Sequence, residues 1–265
     1  MNHLIDSHCH LYSGEFRKNI DSYFDRANKA GVKQFIIVGA NLQSSAKAAE
    51  LAARFSKRGV FATSGIHPHD AKSVYKGYTE ELKKLLNEKR VVAIGETGLD
   101  YYYEHSPREK QKQVFREHIT LAKEINVPII LHIRDAMDDA LEILRGEGAP
   151  SNGVFHCYAG GLESLEIALS FGYYISFSGV ITFAKSEELR EVARVMPIER
   201  ILCETDCPYL APIPYRGKLN EPANVKYVYE TIASVRNISM EELAARVRLN
   251  NSTIFPEMQE TEQNV

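Results

Sequence analysis

Two histidines one residue apart, His8 and His10, end an apolar run near the start of the chain, in the segment LIDSHCHLY. Side chains alternate between the two faces of a β-strand, so this spacing predicts that both imidazoles point one way while Ser7 and Cys9 point the other. Two neighbouring imidazoles at the end of a strand are candidate metal ligands. The pair alone does not establish a metal site, because short motifs of this kind also arise by chance.

Imidazoles and carboxylates recur in five further motifs, each at the end of a β-rich segment. They are His67 and His69 in TSGIHPHD, Glu96 and Asp100 in AIGETGLDYYY, His132 and Arg134 in PIILHIRDAMDD, His156 in GVFHCYAGG, and Glu204 and Asp206 in ILCETDCPYL. Such groups bind zinc, manganese and related divalent ions, and they outnumber the ligands that one tetrahedral ion needs. We therefore expect two ions that share a carboxylate, an arrangement that polarises an ester or phosphate oxygen and acidifies a water molecule.

These motifs must be brought together by the fold, and the chain alternates β-rich with amphipathic segments. The predicted strands are 4–6, 34–38, 60–65, 91–95, 129–131, 153–155, 173–177 and 201–204. The predicted helices are 19–30, 44–56, 79–88, 107–125, 136–147, 161–171 and 187–195, with 221–235 and 239–249 after the eighth strand. Strand followed by helix, eight times, is the pattern of a (β/α)8 TIM barrel, an α/β fold in which all eight strand ends open onto one face.

The alternation is not interrupted by a linker or a low-complexity segment. We predict one TIM-barrel domain over residues 1–255 and a polar, frayed C-terminal tail over residues 256–265. The alternative is a doubly wound open sheet, but neither G-x-G-x-x-G nor a P-loop follows the first strand.

The composition is that of an ordinary globular protein, with 44% hydrophobic and 25% charged residues. The net charge of −3 gives no general basic field, so a nucleic-acid substrate would need a local basic patch or metal ions at its phosphates. No secretory signal and no membrane-spanning run is found, and we expect a cytoplasmic monomer without a membrane partner. The cysteines lack C-x-x-C spacing, which favours reduced thiols packed in the barrel wall; they are Cys9, Cys157, Cys203 and Cys207.

Five motifs, LIDSHCHL, GIHPH, AIGETGLDYY, PIILHIRDAMDD and CETDCPYL, resemble in this order those of the TatD family of metal-dependent deoxyribonucleases, within the amidohydrolase superfamily. The resemblance covers about residues 3–255. It implies a TIM-barrel phosphodiesterase, a 3′-exonuclease on DNA or another phosphodiester, with two divalent ions drawn from Zn, Mn, Mg, Ni and Co. The implied ligands are His8, His10 and Glu96 for one ion, and Glu96, His132 and His156 for the other, with Glu96 bridging. The resemblance further implies that Asp206 completes the first site and accepts the proton of the attacking water.

One position departs from the family pattern. The family usually has Asp or Asn two residues after the second histidine, where this chain has Tyr12. We therefore expect that an acid that would orient a ligand is missing, and that the metal affinity or preference differs.

Four residues near the implied ligands are candidates for substrate binding or for orienting a ligand. His67 is a candidate contact to the substrate, whereas His69 is expected to be a turn residue after Pro68. Asp100 and Glu204 are candidates to orient ligand histidines, and the alternative for Glu204 is a structural acid in the barrel mouth. The fourth is Arg134, which is expected to clamp a phosphate oxygen; its alternative is a salt bridge to an acid in the following helix.

Two loops could contact a nucleic acid. The tyrosines at 101–103 could stack on bases or serve only as a wall of the site. The segment PIPYRGKLNEPAN supplies a local polar and basic element that suits a phosphate backbone or a solvated loop; its members are Arg216, Lys218 and Asn220.

Three classes of function remain open on these residues. The first is a metal-dependent nuclease or phosphodiesterase. The second is hydrolysis of a carboxylic ester, lactone, amide or aminoacyl-RNA bond, because the same activated water attacks carbonyl carbon. The third is a metal-binding protein without catalysis, and the intact ligand set with a candidate base argues against it. Fold alone does not determine the substrate.

Overall fold

The computed structural model describes residues 3–259, apart from the side chain of Glu15, and contains one sheet of eight parallel strands that pair in chain order. The strands are β1 Leu4–Cys9, β2 Val32–Ile37, β3 Val60–Ser64, β4 Val91–Asp100, β5 Ile129–Arg134, β6 Gly153–Phe155, β7 Tyr174–Phe177 and β8 Ile201–Cys203. Parallel neighbours need a crossover between them, and the segments that connect these strands are helical.

Within residues 3–259, one α-helix follows each of the first seven strands, and two follow the eighth. They are α1 Ile20–Lys29, α2 Leu42–Arg54, α3 Tyr78–Leu86, α4 Arg108–Ile125, α5 Met137–Glu147, α6 Leu162–Ser170, α7 Glu187–Val195, α8 Val225–Arg236 and α9 Met240–Ile254. Their apolar residues recur at helical spacing, as in α7, which buries Leu189, Val192 and Ala193. Among residues 3–259, none of the helices combines the length and the apolar composition that crossing a lipid bilayer requires.

The sheet closes on itself between its first and last strands. The backbone N–H of Asp206 donates to the carbonyl of His8 at 2.9 Å, and the N–H of His10 donates to the carbonyl of Cys207 at 2.8 Å. Tyr229 of α8 fastens the same seam, because its hydroxyl bonds both the N–H and the carbonyl of Ile5 at 3.1 Å. The fold is a (β/α)8 TIM barrel, which confirms the prediction.

The barrel interior has an apolar layer at one end and a polar layer above it. Each strand contributes one residue to the apolar layer: Ile5, Ile36, Phe61, Val92, Ile130, Val154, Tyr174 and Leu202. Two positions further along six strands, the inward residue is polar: Ser7, Thr63, His132, His156, Ser176 and Glu204. The period of two residues therefore carries polar groups from six strands to the open end of the barrel.

Strict alternation fails in β1. The pairing of β1 with β2 shifts between Asp6 and Cys9, so three residues of β1 span two of its partner. Ser7 Oγ lies 3.2 Å from Ser176 Oγ of β7, and since β7 does not neighbour β1 in the sheet, this contact crosses the interior. Ser7 therefore points into the barrel, and the expectation that it points the opposite way from His8 is wrong. Cys9 does face outward, where it packs with Cys203 and Cys207 between sheet and helices as predicted.

Three strands continue past their predicted ends. β4 was expected to stop at residue 95, but it pairs with β5 as far as Asp100. β1 and β5 also extend three residues beyond the predicted ends at 6 and 131, to Cys9 and Arg134. Glu96 and Asp100 therefore lie on a strand, and not in the loop after it.

The chain after residue 255 also departs from the prediction. Residues 256–259 form a 3-10 turn rather than a frayed tail, and Met258 is 1% exposed against the apolar layer. Gln34 Nε2 donates to the carbonyl of Met258 at 2.9 Å. The rest of the predicted tail, 260–265, lies outside the described residues.

Candidate metal centre

Glu96 of β4 directs its two carboxylate oxygens at two different groups of histidines. Oε2 lies 3.4 Å from Nε2 of His8 and 3.7 Å from Nε2 of His10. Oε1 lies 2.8 Å from Nδ1 of His132 and 2.8 Å from Nε2 of His156. One buried carboxylate therefore connects two clusters of potential ligands.

Asp206 completes the first cluster. Its Oδ1 lies 3.3 Å from Nε2 of His10 and 3.8 Å from Nε2 of His8. Two atoms that each bind one ion at about 2.1 Å with tetrahedral geometry are about 3.4 Å apart. The distances from the two histidines to Glu96 and Asp206, between 3.3 and 3.8 Å, are close to that spacing. These four side chains are thus arranged as ligands of one ion would be.

His8 gives an independent test of the fit of a metal ion. The residue is 1% exposed and stacks on His156 with 3.9 Å between ring centroids. Neither ring nitrogen has a hydrogen-bond partner among residues 3–259. A buried polar group left unpaired costs about 1–3 kcal/mol, and an ion bound at Nε2 would remove that cost for this atom. The donor set therefore fits a divalent ion.

Three histidines have their remaining ring nitrogen occupied by an acceptor. The acceptors are Glu204 Oε1 at 3.0 Å from His156 Nδ1, Asp100 Oδ2 at 3.1 Å from His132 Nε2, and the Val38 carbonyl at 3.0 Å from His10 Nδ1. A neutral imidazole that donates from one nitrogen presents a lone pair at the other. These partners therefore fix the tautomer in which the nitrogen that faces Glu96 or Asp206 can bind a metal.

His67 has the opposite arrangement. Its Nε2 lies 3.4 Å from Glu96 Oε1, but its Nδ1 accepts the backbone N–H of His69 at 3.1 Å. Burial and the positive charge of His132 lower the pKa of His67 to about 4, so the ring is neutral. The proton of the neutral ring must then be on Nε2, which makes His67 a hydrogen-bond donor toward the centre and not a ligand.

The neighbouring histidines keep the two central carboxylates of the cluster ionised. Burial, the largest influence on Glu96, favours its protonated form, but the charge of His156 and its other histidine neighbours hold its pKa well below the usual range. Burial also opposes the charge on Asp206, and the hydrogen bond from His10 outweighs it to lower the pKa of that carboxyl. Both carboxylates are therefore charged at neutral pH and available to a cation.

Two glycines let β4 bring Glu96 into the centre. Gly95 and Gly98 have φ of +129° and +137°, a region that other residues rarely adopt. A Cβ on Gly98 would lie 2.2 Å from the carbonyl oxygen of His132, so only glycine permits this approach of β4 to β5. The pairing of these strands shifts between Ile94 and Thr97, around Glu96 itself.

Asp100 links the second cluster to the adjoining loop. Its Oδ2 accepts from Nε2 of His132 at 3.1 Å and from Nε2 of His69 at 2.9 Å. Its Oδ1 accepts the backbone N–H groups of Tyr102 and Tyr103 at 3.0 and 2.8 Å. The sequence predicted that Asp100 orients a ligand histidine. It did not predict that His69 contacts Asp100, because His69 was expected only to be a turn residue. The two-residue spacing between His67 and His69 was the feature that could have indicated this contact.

The family described as TatD related DNase matches residues 5–256. The chain belongs to this family. The predicted resemblance to TatD proteins is confirmed.

Relatives agree with the family assignment. The metal-dependent hydrolase YabD of Bacillus subtilis is 39% identical over 253 residues, which cover 95% of this chain and 98% of YabD. The 3′-5′ ssDNA/RNA exonuclease TatD of Klebsiella pneumoniae is 35% identical over 259 residues, covering 95% of this chain and 97% of the relative. The solved structure of the TatD homolog YJJV of Escherichia coli has a TM-score of 0.90 at 29% identity, covering 96% of this chain and 98% of that one. As a TatD family member, this chain is a metal-dependent hydrolase, as predicted.

Tyr12 lies at the position where the TatD pattern led us to expect that an orienting acid is missing. Its hydroxyl lies 3.0 Å from Nδ1 of His10, beside the carbonyl of Val38. An acid is therefore missing at this position, as expected, and the hydroxyl of Tyr12 is a partner of His10 in its place. The difference is one of charge, because burial raises the pKa of Tyr12 and keeps its hydroxyl neutral where an Asp would be an anion.

Arg134 is not held by an acid of the following helix. Within residues 3–259 it forms no ion pair with a carboxylate; its Cζ lies 4.0 Å from the ring centroid of Tyr102 and 4.7 Å from that of Tyr103. Tyr101 is instead fixed in a wall, because its hydroxyl donates to Asp139 at 2.6 Å. The three tyrosines thus have different roles.

The loop after β8 is partly structural. Asn220 is buried, and its Nδ2 donates to the carbonyls of Thr205 and Tyr209 at 2.9 and 2.7 Å. Contrary to the expectation, it is therefore not free to bind a phosphate backbone. The Cζ of Arg216 lies 4.3 Å from the centroid of the Phe183 ring. Of the predicted polar and basic element, only Arg216 and Lys218 remain as candidate phosphate contacts.

Proposed function

We propose that this chain hydrolyses phosphodiester bonds of single-stranded DNA or RNA from the 3′ end, using two divalent ions held at the candidate metal centre. The observation that carries the proposal is the Glu96 carboxylate, whose two oxygens face separate groups of imidazoles. The substrate class is supported by the Klebsiella relative, which is named as a 3′-5′ ssDNA/RNA exonuclease. The proposed ligands are His8, His10, Glu96 and Asp206 for one ion, and Glu96, His132 and His156 for the other.

The donor set narrows the choice among Zn, Mn, Mg, Ni and Co. Four of the six proposed ligands are imidazoles, which suit zinc and nickel better than magnesium. When bound, such a pair of ions polarises a phosphoryl oxygen and acidifies a water molecule.

The remaining chemistry is assigned to side chains of the chain itself. Asp206, a charged carboxylate 3.3 Å from Nε2 of His10, accepts the proton that the attacking water gives up. His67 donates its Nε2 proton in a hydrogen bond to a phosphoryl oxygen, and Arg134 clamps a second oxygen. Asp100 and Glu204 act as positioning residues, because each holds the outer nitrogen of one histidine.

The proposal is tested on protein stripped of metal and reloaded with each ion. We expect two ions per chain by elemental analysis, and shortening of a 5′-labelled single strand from its 3′ end that chelation abolishes. His8→Ala should lose one ion and the cleavage. His118→Gln is the matched control: His118 is buried in α4, bonded to the carbonyl of Val114 and to the N–H of Ile66, and its replacement should keep both ions.

Other outcomes would contradict the proposal in different ways. No more than one ion per chain, with His8→Ala unchanged, would refute the two-metal centre. If nucleic acid stays intact while an ester, lactone, amide or aminoacyl-RNA is hydrolysed, the reaction at the centre is attack on carbonyl carbon and not on phosphorus. Two bound ions without hydrolysis of any of these substrates would leave a non-catalytic metal protein.

The single domain over residues 1–255, the monomeric state and the cytoplasmic location stay predictions. All four cysteines are free, which suits a reducing compartment. Light scattering during size-exclusion chromatography tests the monomer, and limited proteolysis tests the single domain.

A further inference from the structure

Two exposed aromatic side chains lie beside the second cluster of the metal centre. Tyr102 and Tyr103 are 59% and 50% exposed, and their rings meet edge to face at 4.8 Å. They follow β4 directly, and Arg134, at the end of β5, lies against both rings. We call Tyr102, Tyr103 and Arg134 the tyrosine shelf.

The shelf is tied to the metal centre through one carboxylate. Asp100 Oδ1 accepts the backbone N–H groups of Tyr102 and Tyr103, while its Oδ2 accepts from Nε2 of His132. The same buried side chain therefore orients a proposed metal ligand and fixes the backbone of both tyrosines. A group stacked on the shelf would be held in a fixed relation to the scissile bond.

Arg134 supplies the charge. No carboxylate within residues 3–259 forms an ion pair with it, and it follows His132 by two residues on the same strand. A guanidinium that rests on aromatic rings keeps its N–H groups, which match the geometry of a phosphate. The shelf thus combines flat apolar surface with an unneutralised cation next to a centre for phosphodiester hydrolysis.

We propose that the tyrosine shelf binds a nucleotide adjacent to the scissile bond, with its base stacked on the ring of Tyr102, which Tyr103 meets edge to face, and its phosphate held by Arg134. This rests on the proposed function and adds to it the requirement for an unpaired base. Stacking on a ring needs an accessible base face, which a base inside a duplex does not offer, and every base has such a face. The shelf therefore selects unpaired ends without selecting sequence.

The test compares two substrates on two proteins. One single-stranded oligonucleotide carries bases throughout, and the other is abasic at its two 3′-terminal positions. The double variant Tyr102→Leu, Tyr103→Leu should raise KM for the first by about 5- to 150-fold, the range expected for loss of base stacking, with kcat little changed. For the abasic substrate, the variant and the unchanged protein should have similar KM values.

Tyr75→Leu is the matched control, since Tyr75 is 52% exposed but its hydroxyl donates to Glu81, away from the shelf. It should leave both substrates unaffected. Binding of a fluorescent oligonucleotide to the metal-loaded Asp206→Asn protein gives a readout without turnover, and there the double variant should weaken binding by a similar factor.

The outcomes separate the shelf from the function on which it rests. If the double variant cleaves and binds the base-bearing strand as the unchanged protein does, the shelf is not a base-binding site. The same holds if its KM rises equally for both substrates. Neither result contradicts the proposed nuclease function. If the unchanged metal-loaded protein neither cleaves nor binds the strand, the proposed function itself fails. An unaltered unfolding midpoint of the double variant excludes misfolding as the cause of a raised KM.

Discussion

The histidines around Glu96 differ in which ring nitrogen carries the proton. His132 and His156 each donate to a buried carboxylate on the outer side, so in the neutral form of each ring the nitrogen that faces Glu96 offers a lone pair. His67 accepts a backbone N–H on its outer side, so its inner nitrogen carries the proton. The same residue type thus provides both metal ligands and a hydrogen-bond donor, and the partner on the far side of each ring decides between them.

Asp206 is the residue at which ligand and base are combined. Asparagine has the same shape and keeps one ligand oxygen, but it cannot accept a proton. We expect Asp206→Asn to keep the fold and most of the metal while kcat falls by about 10²- to 10⁴-fold. Single-turnover cleavage with parallel metal analysis measures both. An undiminished kcat would mean that Asp206 is not the base. Loss of metal together with activity would mean that Asp206 is only a ligand, and Glu204 or His67 would then be the candidate base.

Tyr12 tests how much an orienting hydroxyl contributes. Tyr12→Phe removes the oxygen 3.0 Å from Nδ1 of His10 and leaves the Val38 carbonyl at the same distance. Loss of such a partner weakens metal binding by about 10- to 100-fold, and the remaining carbonyl predicts a value near the lower end. Competition with a chelating dye measures the affinity. An unchanged affinity would mean that the carbonyl alone orients His10.

At the scale of elements, the approach of β4 to β5 determines the geometry of the second cluster. Gly98→Ala would place a Cβ 2.2 Å from the carbonyl of His132 and force a backbone with φ of +137° on an alanine. We expect a loss of at least about 2 kcal/mol of unfolding free energy, since strained backbone alone costs about 1–3 kcal/mol, together with weaker metal binding. Urea unfolding and metal titration measure the two effects.

Gly146→Ala is the control for this substitution. Gly146 lies within α5, and a Cβ there would meet no atom within 4 Å. Alanine is the better helix former, so this variant should be unchanged or more stable by up to about 1 kcal/mol. If both variants behave alike, the close approach of β4 to β5 does not determine the position of His132.

The same strands explain what the sequence could and could not predict. The eight strands and nine α-helices of residues 3–259 were all anticipated, because the strands are short β-rich runs and the helices between them are amphipathic. The ends of β4 and β5 were missed because the two strands continue to pair with each other, through Gly98, as far as Asp100 and Arg134, and neither segment shows this pairing by itself. The bulge that turns Ser7 inward depends on the register with β2, which β1 does not itself encode.

Along its axis, the barrel separates an apolar layer from a polar layer. A period of two along six of the strands makes this division visible in the amino-acid sequence, and the strand-end residues can therefore be grouped into one site from the sequence alone. The hydrogen-bond partners of those residues cannot be predicted from the sequence. The contact of Glu204 with His156, for example, joins residues 48 positions apart, and local sequence gives no indication of it.

The C-terminal segment covers the apolar end of the barrel, so it should contribute to stability and not to catalysis. Phe255 is fully buried in the same cluster as Ile5 and Met258, at the end opposite to the metal centre. Phe255→Ala should lower the free energy of unfolding by about 3–5 kcal/mol, the usual cost of emptying such a position. Leu249→Ala, at a site 57% exposed, is the control and should change it by less than about 0.5 kcal/mol. Urea unfolding measures the free energies of both variants. The kcat of the folded Phe255→Ala protein should equal that of the unchanged chain. A lowered kcat with unaltered stability would mean that the apolar and polar layers are coupled.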